Sequence, residues 1–116
     1  MESFKTYKEC IDPEKILKIR KKYPDRIPIF VDKHKRSKLK SLSKHKYLVD
    51  SSMTLGEFVF YIRRQIKINS SEALFMYFED KLENCSRTMG ELFKTHKNKD
   101  LVLVISYDTE NTFGDN

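Results

Sequence analysis

The chain has 116 residues, 39% hydrophobic and 34% charged, which suits one folded domain and leaves no room for a second core. No apolar run approaches the roughly 20 residues that span a bilayer, and the opening MESFKTYKEC lacks a basic-then-apolar secretory pattern, so a cytoplasmic protein is expected. The formal charge of +6 is uneven: residues 1–50 carry 15 Lys/Arg against 7 Asp/Glu, net +8, and residues 51–116 carry 8 against 10, net −2. That basic half would attract an anionic partner.

The first element read from the pattern is a helix in IDPEKILKIRKKYPD. Asp12 suits the N-cap, and Pro13 suits the first helical position, where its missing N–H costs nothing. Ile11 can staple to Ile16, while Ile16, Ile19 and Tyr23 follow an apolar 3,4 spacing. Pro24 ends the run. Residues 1–10 are expected to be extended or short-helical. RIPIFVDK is then a strand, and Pro28 within it argues for an edge, a strand start or a bulge. A basic connection, KHKRSKLKSLSK, leads to a second strand in KHKYLVD, with Tyr47 and Val49 on one face and Leu48 on the other.

TLGEFVFYIRRQIKI is the central helix. Thr54 and Glu57 form a capping box, Met53 can staple to Phe58, and Leu55, Phe58, Val59, Ile62 and Ile66 make the core stripe. ALFMYFED is a third strand, with a further short strand possible near Lys81–Leu82. TMGELFKTH is a short helix with a second capping box from Thr88 and Glu91. DLVLVISYD is apolar almost throughout, as a central strand covered on both faces would be. Right-handed crossover places it beside the first strand. The order implies an α+β fold: a ubiquitin-like β-grasp with a four-stranded mixed sheet, preceded by an N-terminal helical extension. The expected divisions are 1–24 for the extension, 25–109 for the core and 110–116 for a flexible polar tail.

IRKKYPDRIPIFVDK, KHKYLVDSSMTLGEFVFYIRRQI, TMGELF and ENTFG occur in an order and spacing that resemble the autophagy ubiquitin-like modifier family, which includes GABA-receptor-associated protein and the microtubule-associated light chains. The resemblance runs from about Ile19 to Gly114. It implies a precursor that a cysteine protease cuts after Gly114, with Phe113 as a recognition residue. Ubiquitin-type activating and conjugating enzymes then pass the carboxylate to phosphatidylethanolamine. The residue types suit that chemistry, because glycine has no Cβ and threads a narrow channel, while Phe113 offers an apolar handle. The implied location is cytoplasmic, and the autophagosomal membrane when lipidated; phosphatidylethanolamine brings two acyl chains where one anchors only marginally. No other cofactor is expected.

The resemblance also implies a groove for receptors bearing short acidic motifs, an aromatic residue, two spacers and an aliphatic residue, added as a strand along the second strand's edge. Carried over by position, the aromatic pocket is Ile19, Pro28, Phe30, Lys46, Leu48 and Val102. The aliphatic pocket is Tyr47, Val49, Met53, Phe58, Tyr61 and Ile62. Arg26, Lys44 and Lys46 would meet the motif's acids. The chain departs from the family at Asp50, where proline is usual, at Gln65 where arginine is usual, at Glu83–Asn84 in place of a Pro-Pro turn, and in the bulk of Phe30 and Tyr61.

Two cysteines, Cys10 and Cys85, are too few for a disulfide framework, and no histidine stands at metal-ligand spacing from them, so no metal is expected. Cys85 and His96 have no orienting acid in any motif, which argues against an enzyme. Two alternatives remain: a basic nucleic-acid-binding module built on KHKRSKLKSLSKHK, and an unprocessed ubiquitin-like adaptor. The aromatics fall at core positions and no recognition motif is present, so nucleic acid is not the expected partner.

Overall fold

The computed structural model of the chain describes residues 7–35 and 37–109; Phe113 and Gly114 lie outside them. A single turn, α1 (Tyr7–Cys10), precedes α2 (Pro13–Lys22). Asp12 caps α2 from an extended conformation, its side chain accepting the Glu14 N–H at 3.0 Å, with Pro13 next as expected. Ile11 and Ile16 are both buried. Tyr23 is not on the buried stripe; it is 41% exposed and serves as the C-cap, donating its N–H to the Ile19 carbonyl.

β1 (Arg26–Lys33), β2 (Lys46–Asp50), β3 (Phe75–Phe78), β4 (Lys81–Leu82) and β5 (Leu103–Asp108) form one mixed sheet in the order β2-β1-β5-β3-β4. β5 is central and parallel to β1, as the crossover rule requires. The sheet has five strands where four are expected. The fifth, β4, exists because Glu79 and Asp80, with φ of 53° and 65°, form a two-residue hairpin between Phe78 and Lys81. Positive φ at both positions matches the twist of a tight hairpin, although neither residue is a glycine.

Pro28 sits on an internal strand. The Val31 N–H donates to the His45 carbonyl on the β2 side, so by alternation Pro28 turns its missing N–H toward β5. Pairing with β5 begins only at Ile29, so no ladder bond is lost.

The core lies mainly on one face. α3 (Leu55–Ile66) buries Leu55, Phe58, Ile62 and Ile66 against Ile29, Val31, Leu103 and Ile105 of the sheet. Val59 is half-buried at the margin of this layer. Each large apolar side chain removed from water contributes about 1.5–3 kcal/mol. On the other face α1 and α2 cover a smaller cluster: Ile11, Ile16, Phe30 and Val102.

α3 and α4 (Met89–His96) start side by side. Both expected capping boxes form, Thr54 with Glu57 and Thr88 with Glu91. Thr54 and Thr88 pair as an isolated antiparallel bridge. Leu55 and Gly56 N–H groups donate to the Arg87 and Cys85 carbonyls, while Met89 and Gly90 donate to the Met53 and Ser51 carbonyls. Each helix start thereby satisfies the other's orphan donors. The approach is close: a Cβ on Gly90 would stand 3.2 Å from the Ser51 Cβ and carbonyl oxygen.

Candidate binding cleft and strand edge

β2 is an edge strand. Its register places Tyr47 opposite Ile29 and Val49 opposite Ile27. Because the odd-numbered residues of β1 direct their backbone groups toward β2, Tyr47 and Val49 close the ladder. Lys46, Leu48 and Asp50 turn their N–H and C=O groups outward. The outer edge of β2 therefore presents backbone donors and acceptors that an added strand can pair.

A cleft of about 780 Å³ opens beside that edge, between α1–α2 and β1–β2. Ile19, Pro28, Lys46 and Leu48 line it. Phe30 and Val102 do not; at 4% and 0% exposure they belong to the cluster beneath α1 and α2. The bulk of Phe30 fills the space below α1, with Tyr7 edge-on at 5.4 Å and the His45 ring stacked at 5.7 Å.

The second set of residues lies across β2, toward α3. The Tyr47 ring meets Phe58 edge-on at 5.7 Å and Tyr61 at 5.9 Å. Tyr47, Val49 and Met53 are half-buried and Tyr61 is 42% exposed, so these four reach the surface. Phe58 and Ile62, at 1% and 0%, support them from the core. Burial, with Tyr61 adding, pushes the Tyr47 phenol up to about 12. Its hydroxyl donates to the Lys44 carbonyl at 3.0 Å, and the Lys44 ammonium lies 4.9 Å from its ring centroid. Arg26, Lys44 and Lys46 are all exposed around this edge.

The departures at Asp50 and Asn84 have local explanations. Asp50 Oδ1 accepts the Ser52 N–H at 2.9 Å and hydroxyl at 2.7 Å, starting the turn into α3. Those bonds, with Arg26 nearby, hold its carboxyl below the usual range. Asn84 accepts from the Ser86 N–H and hydroxyl in the same way, both at 2.8 Å. Gln65 is exposed on α3.

The structure adds residues that sequence reasoning missed. Lys8, Cys10 and Lys15 line the cleft. Tyr7 fastens α1: its hydroxyl donates to Asp100 Oδ2 at 3.0 Å and accepts from Asn98 Nδ2 at 2.8 Å. Asn98 Oδ1 in turn accepts from the Asp100 and Val102 N–H groups. Local periodicity gives no signal for a contact spanning 93 residues.

His96 is engaged away from this region. Its Nδ1 lies 3.1 Å from Glu79 and its Nε2 2.5 Å from Glu83, and its ring stacks on Phe78. Both ring nitrogens thus face carboxylates. Glu83 is held below the usual carboxylate range, chiefly by the His96 hydrogen bond, with burial opposing and Arg87 adding. Cys85 is exposed in the loop whose carbonyls receive the start of α3. Among the described residues no cluster of His, Cys, Asp and Glu could hold a metal ion, and no helix is long and apolar enough to cross a membrane.

Comparison with known proteins agrees with this architecture. The family described as "Autophagy protein Atg8 ubiquitin like" matches residues 12–114. Autophagy-related protein 8e of Arabidopsis thaliana is 41% identical over 97 residues, covering 84% of this chain and 80% of that protein. Autophagy-related protein 8 of Mycosarcoma maydis is also 41% identical, with 84% and 82% covered. The crystal structure of Trypanosoma brucei ATG8 superposes with a TM-score of 0.79 at 30% identity, covering 93% of this chain and 95% of the other. The chain belongs to the Atg8 family of ubiquitin-like modifiers of autophagy.

Proposed function

We propose that this chain is cleaved after Gly114, is joined there to phosphatidylethanolamine, and then recruits receptors through the β2 edge. The family match supports the first part, since it ends at Gly114 and leaves Asp115 and Asn116 outside. Hydrolysis of the Gly114–Asp115 amide would release the dipeptide and bare a carboxylate. An activating enzyme would adenylate that carboxylate from adenosine triphosphate, releasing pyrophosphate, and its thiol would then displace adenosine monophosphate to carry the chain as a thioester. The lipid amine would then displace the thiol, forming an amide. The chain is the passenger in every step and not the catalyst.

The observation that carries the recruiting role is the outward-facing backbone of β2, flanked by the cleft on one side and Tyr47, Val49, Met53 and Tyr61 on the other. An aromatic side chain of an added strand would enter the cleft beside Ile19, Pro28 and Leu48. An aliphatic one would reach the second site. Arg26, Lys44 and Lys46 favour acidic residues in the same segment. The protein would work in the cytoplasm and on autophagosomal membranes, with the covalent lipid as its only prosthetic group.

Mass measurement of the protein recovered from cells tests the reading. Loss of Asp115–Asn116 followed by gain of a phospholipid mass is expected, and Gly114→Ala should abolish both. A chain that keeps its last two residues and never gains lipid would instead be an adaptor.

A further inference from the structure

β1 and β5 run parallel, so both end at the same side of the molecule. Lys33 stands opposite Tyr107, and the His34 N–H donates to the Tyr107 carbonyl at 2.8 Å. The described chain ends two residues later, at Thr109. Gly114 follows five residues on, so a fully extended tail keeps it within about 18 Å of Thr109.

The lysine-rich connection between β1 and β2 begins at that exit. Its backbone is pinned to the body. Leu42 is buried in the main core, the Tyr107 hydroxyl donates to the Lys40 carbonyl at 2.8 Å, and Lys33 Nζ donates to the Leu39 carbonyl at 3.3 Å. At its far end the His45 ring meets the Val31 carbonyl at 2.9 Å. The side chains of Lys35, Lys38 and Lys40 are left exposed. Among the described residues no salt bridge holds these three. Of the carboxylates on the adjoining strand ends, Asp32 accepts from the Lys33 N–H and lies 3.8 Å from the His45 ring, and Asp108 is buried and accepts from the Thr109 N–H.

We infer that this pinned lysine loop is the membrane-facing surface of the conjugated protein and binds anionic phospholipid headgroups. The inference rests on the proposed conjugation at Gly114, whose short tether brings the bilayer to the end of the molecule where the loop lies. Attraction between lysines and a charged bilayer fades over a Debye length of about 8 Å, so only lysines near the tether exit contribute. Each lysine at an anionic surface raises partitioning roughly fivefold. The acyl chains hold the protein on the membrane and the loop sets its orientation. Lys35, Lys38 and Lys40 do not line the cleft, whose nearest β1 residue, Ile29, stands four residues from Lys33, roughly 13 Å along the strand, so the cleft stays open to peptides.

The test conjugates the full chain in a reconstituted reaction to phosphatidylethanolamine in phosphatidylcholine vesicles, with or without phosphatidylserine, and reads hydrogen exchange over residues 34–45. Exchange should slow only with phosphatidylserine, and Lys35→Gln/Lys38→Gln/Lys40→Gln should remove the slowing while still forming conjugate and keeping its Tm. The unconjugated triple variant should also lose about tenfold to a hundredfold in cosedimentation with phosphatidylserine vesicles. A conjugate whose loop exchanges alike on both vesicles, or equal cosedimentation of wild type and variant, overturns the inference and leaves the proposed function standing. Failure of the wild type to form conjugate at Gly114 overturns the proposed function instead, and cosedimentation still decides whether the loop binds lipid. Tighter binding of a single-stranded oligonucleotide than of vesicles at the same salt would reassign the loop to nucleic acid.

Discussion

Behind the sheet, α3 and α4 cover a continuous apolar layer that includes Ile27, Phe58, Ile62, Leu92 and Tyr107. In front, among the described residues, α1 and α2 cover a smaller cluster, Phe30 and Val102 with Leu101 at its margin, together with their own Ile11 and Ile16. The front helices leave the 780 Å³ cleft between themselves and β2. The difference divides the labour: the deep layer holds the fold, and the shallow one shapes a surface whose contacts are few enough to adjust to a guest. The β2 edge belongs to both, since Tyr47 and Val49 pack toward α3 while Leu48 lines the cleft.

The largest expected effect tests that division directly. Phe58→Ala removes a side chain that is 1% exposed at the centre of the deep layer and should cost about 3–5 kcal/mol. That is a large share of the stability of an ordinary domain. Phe30→Ala, also well buried at 4%, should cost about 1–3 kcal/mol, because α1 and Tyr7 can settle into the space. Urea midpoints at neutral pH compare the two, and equal losses would erase the distinction between the faces. Next in size, Tyr47→Ala with Leu48→Ala should weaken an acidic aromatic-x-x-aliphatic peptide by at least about tenfold. Lipid conjugation should continue, and unchanged peptide affinity would remove β2 from the recruiting role.

The deep layer was far more legible in the sequence than the shallow one. Its helices announce themselves through capping boxes at Thr54 and Thr88 and a 3,4 apolar stripe, and the run LVLVISYD marks the central strand. These signals are local, and the structure repeats them. β4 was only faintly legible, because a hairpin on Glu79 and Asp80 lacks the glycine or asparagine that normally marks one. The front of the molecule depends on distant contacts. Nothing near Tyr7 in sequence points to Asn98 or Asp100, and nothing near Phe30 distinguishes a cleft wall from a residue buried beneath α1. Position along a strand gives the face a side chain takes, but not what covers that face.

One tyrosine on each side sharpens the comparison further. Tyr107, in the deep layer, is fully buried and donates to the Lys40 carbonyl. Burial, with Asp32 adding, pushes its phenol up to about 12. The raised value means that the folded state favours the neutral form. The stability it contributes is complete below the unfolded value near 10 and is lost as the pH rises through the folded value. Tyr107→Phe should therefore be less stable than wild type by about 1 kcal/mol at neutral pH, from the lost hydrogen bond. The gap should narrow and then reverse as the solution is made strongly alkaline. Urea midpoints at neutral and alkaline pH measure it; parallel curves would show that the Tyr107 phenol ionises as freely in the folded chain as in the unfolded one.

Tyr7, on the shallow side, should matter less to the whole and more to its own neighbourhood. Its hydroxyl joins α1 to Asn98 and Asp100, while its ring stays against Phe30. Tyr7→Phe keeps the ring contact and removes both hydrogen bonds, for about 0.5–1 kcal/mol. Asn98 retains its bonds to the Asp100 and Val102 N–H groups, so the approach to β5 should stand. Hydrogen exchange should quicken in α1 and the residues beside it on the cleft, with α3 and β5 unchanged. If α3 quickens equally, the two faces share one cooperative unit, and the cleft cannot reshape without loosening the core that supports it.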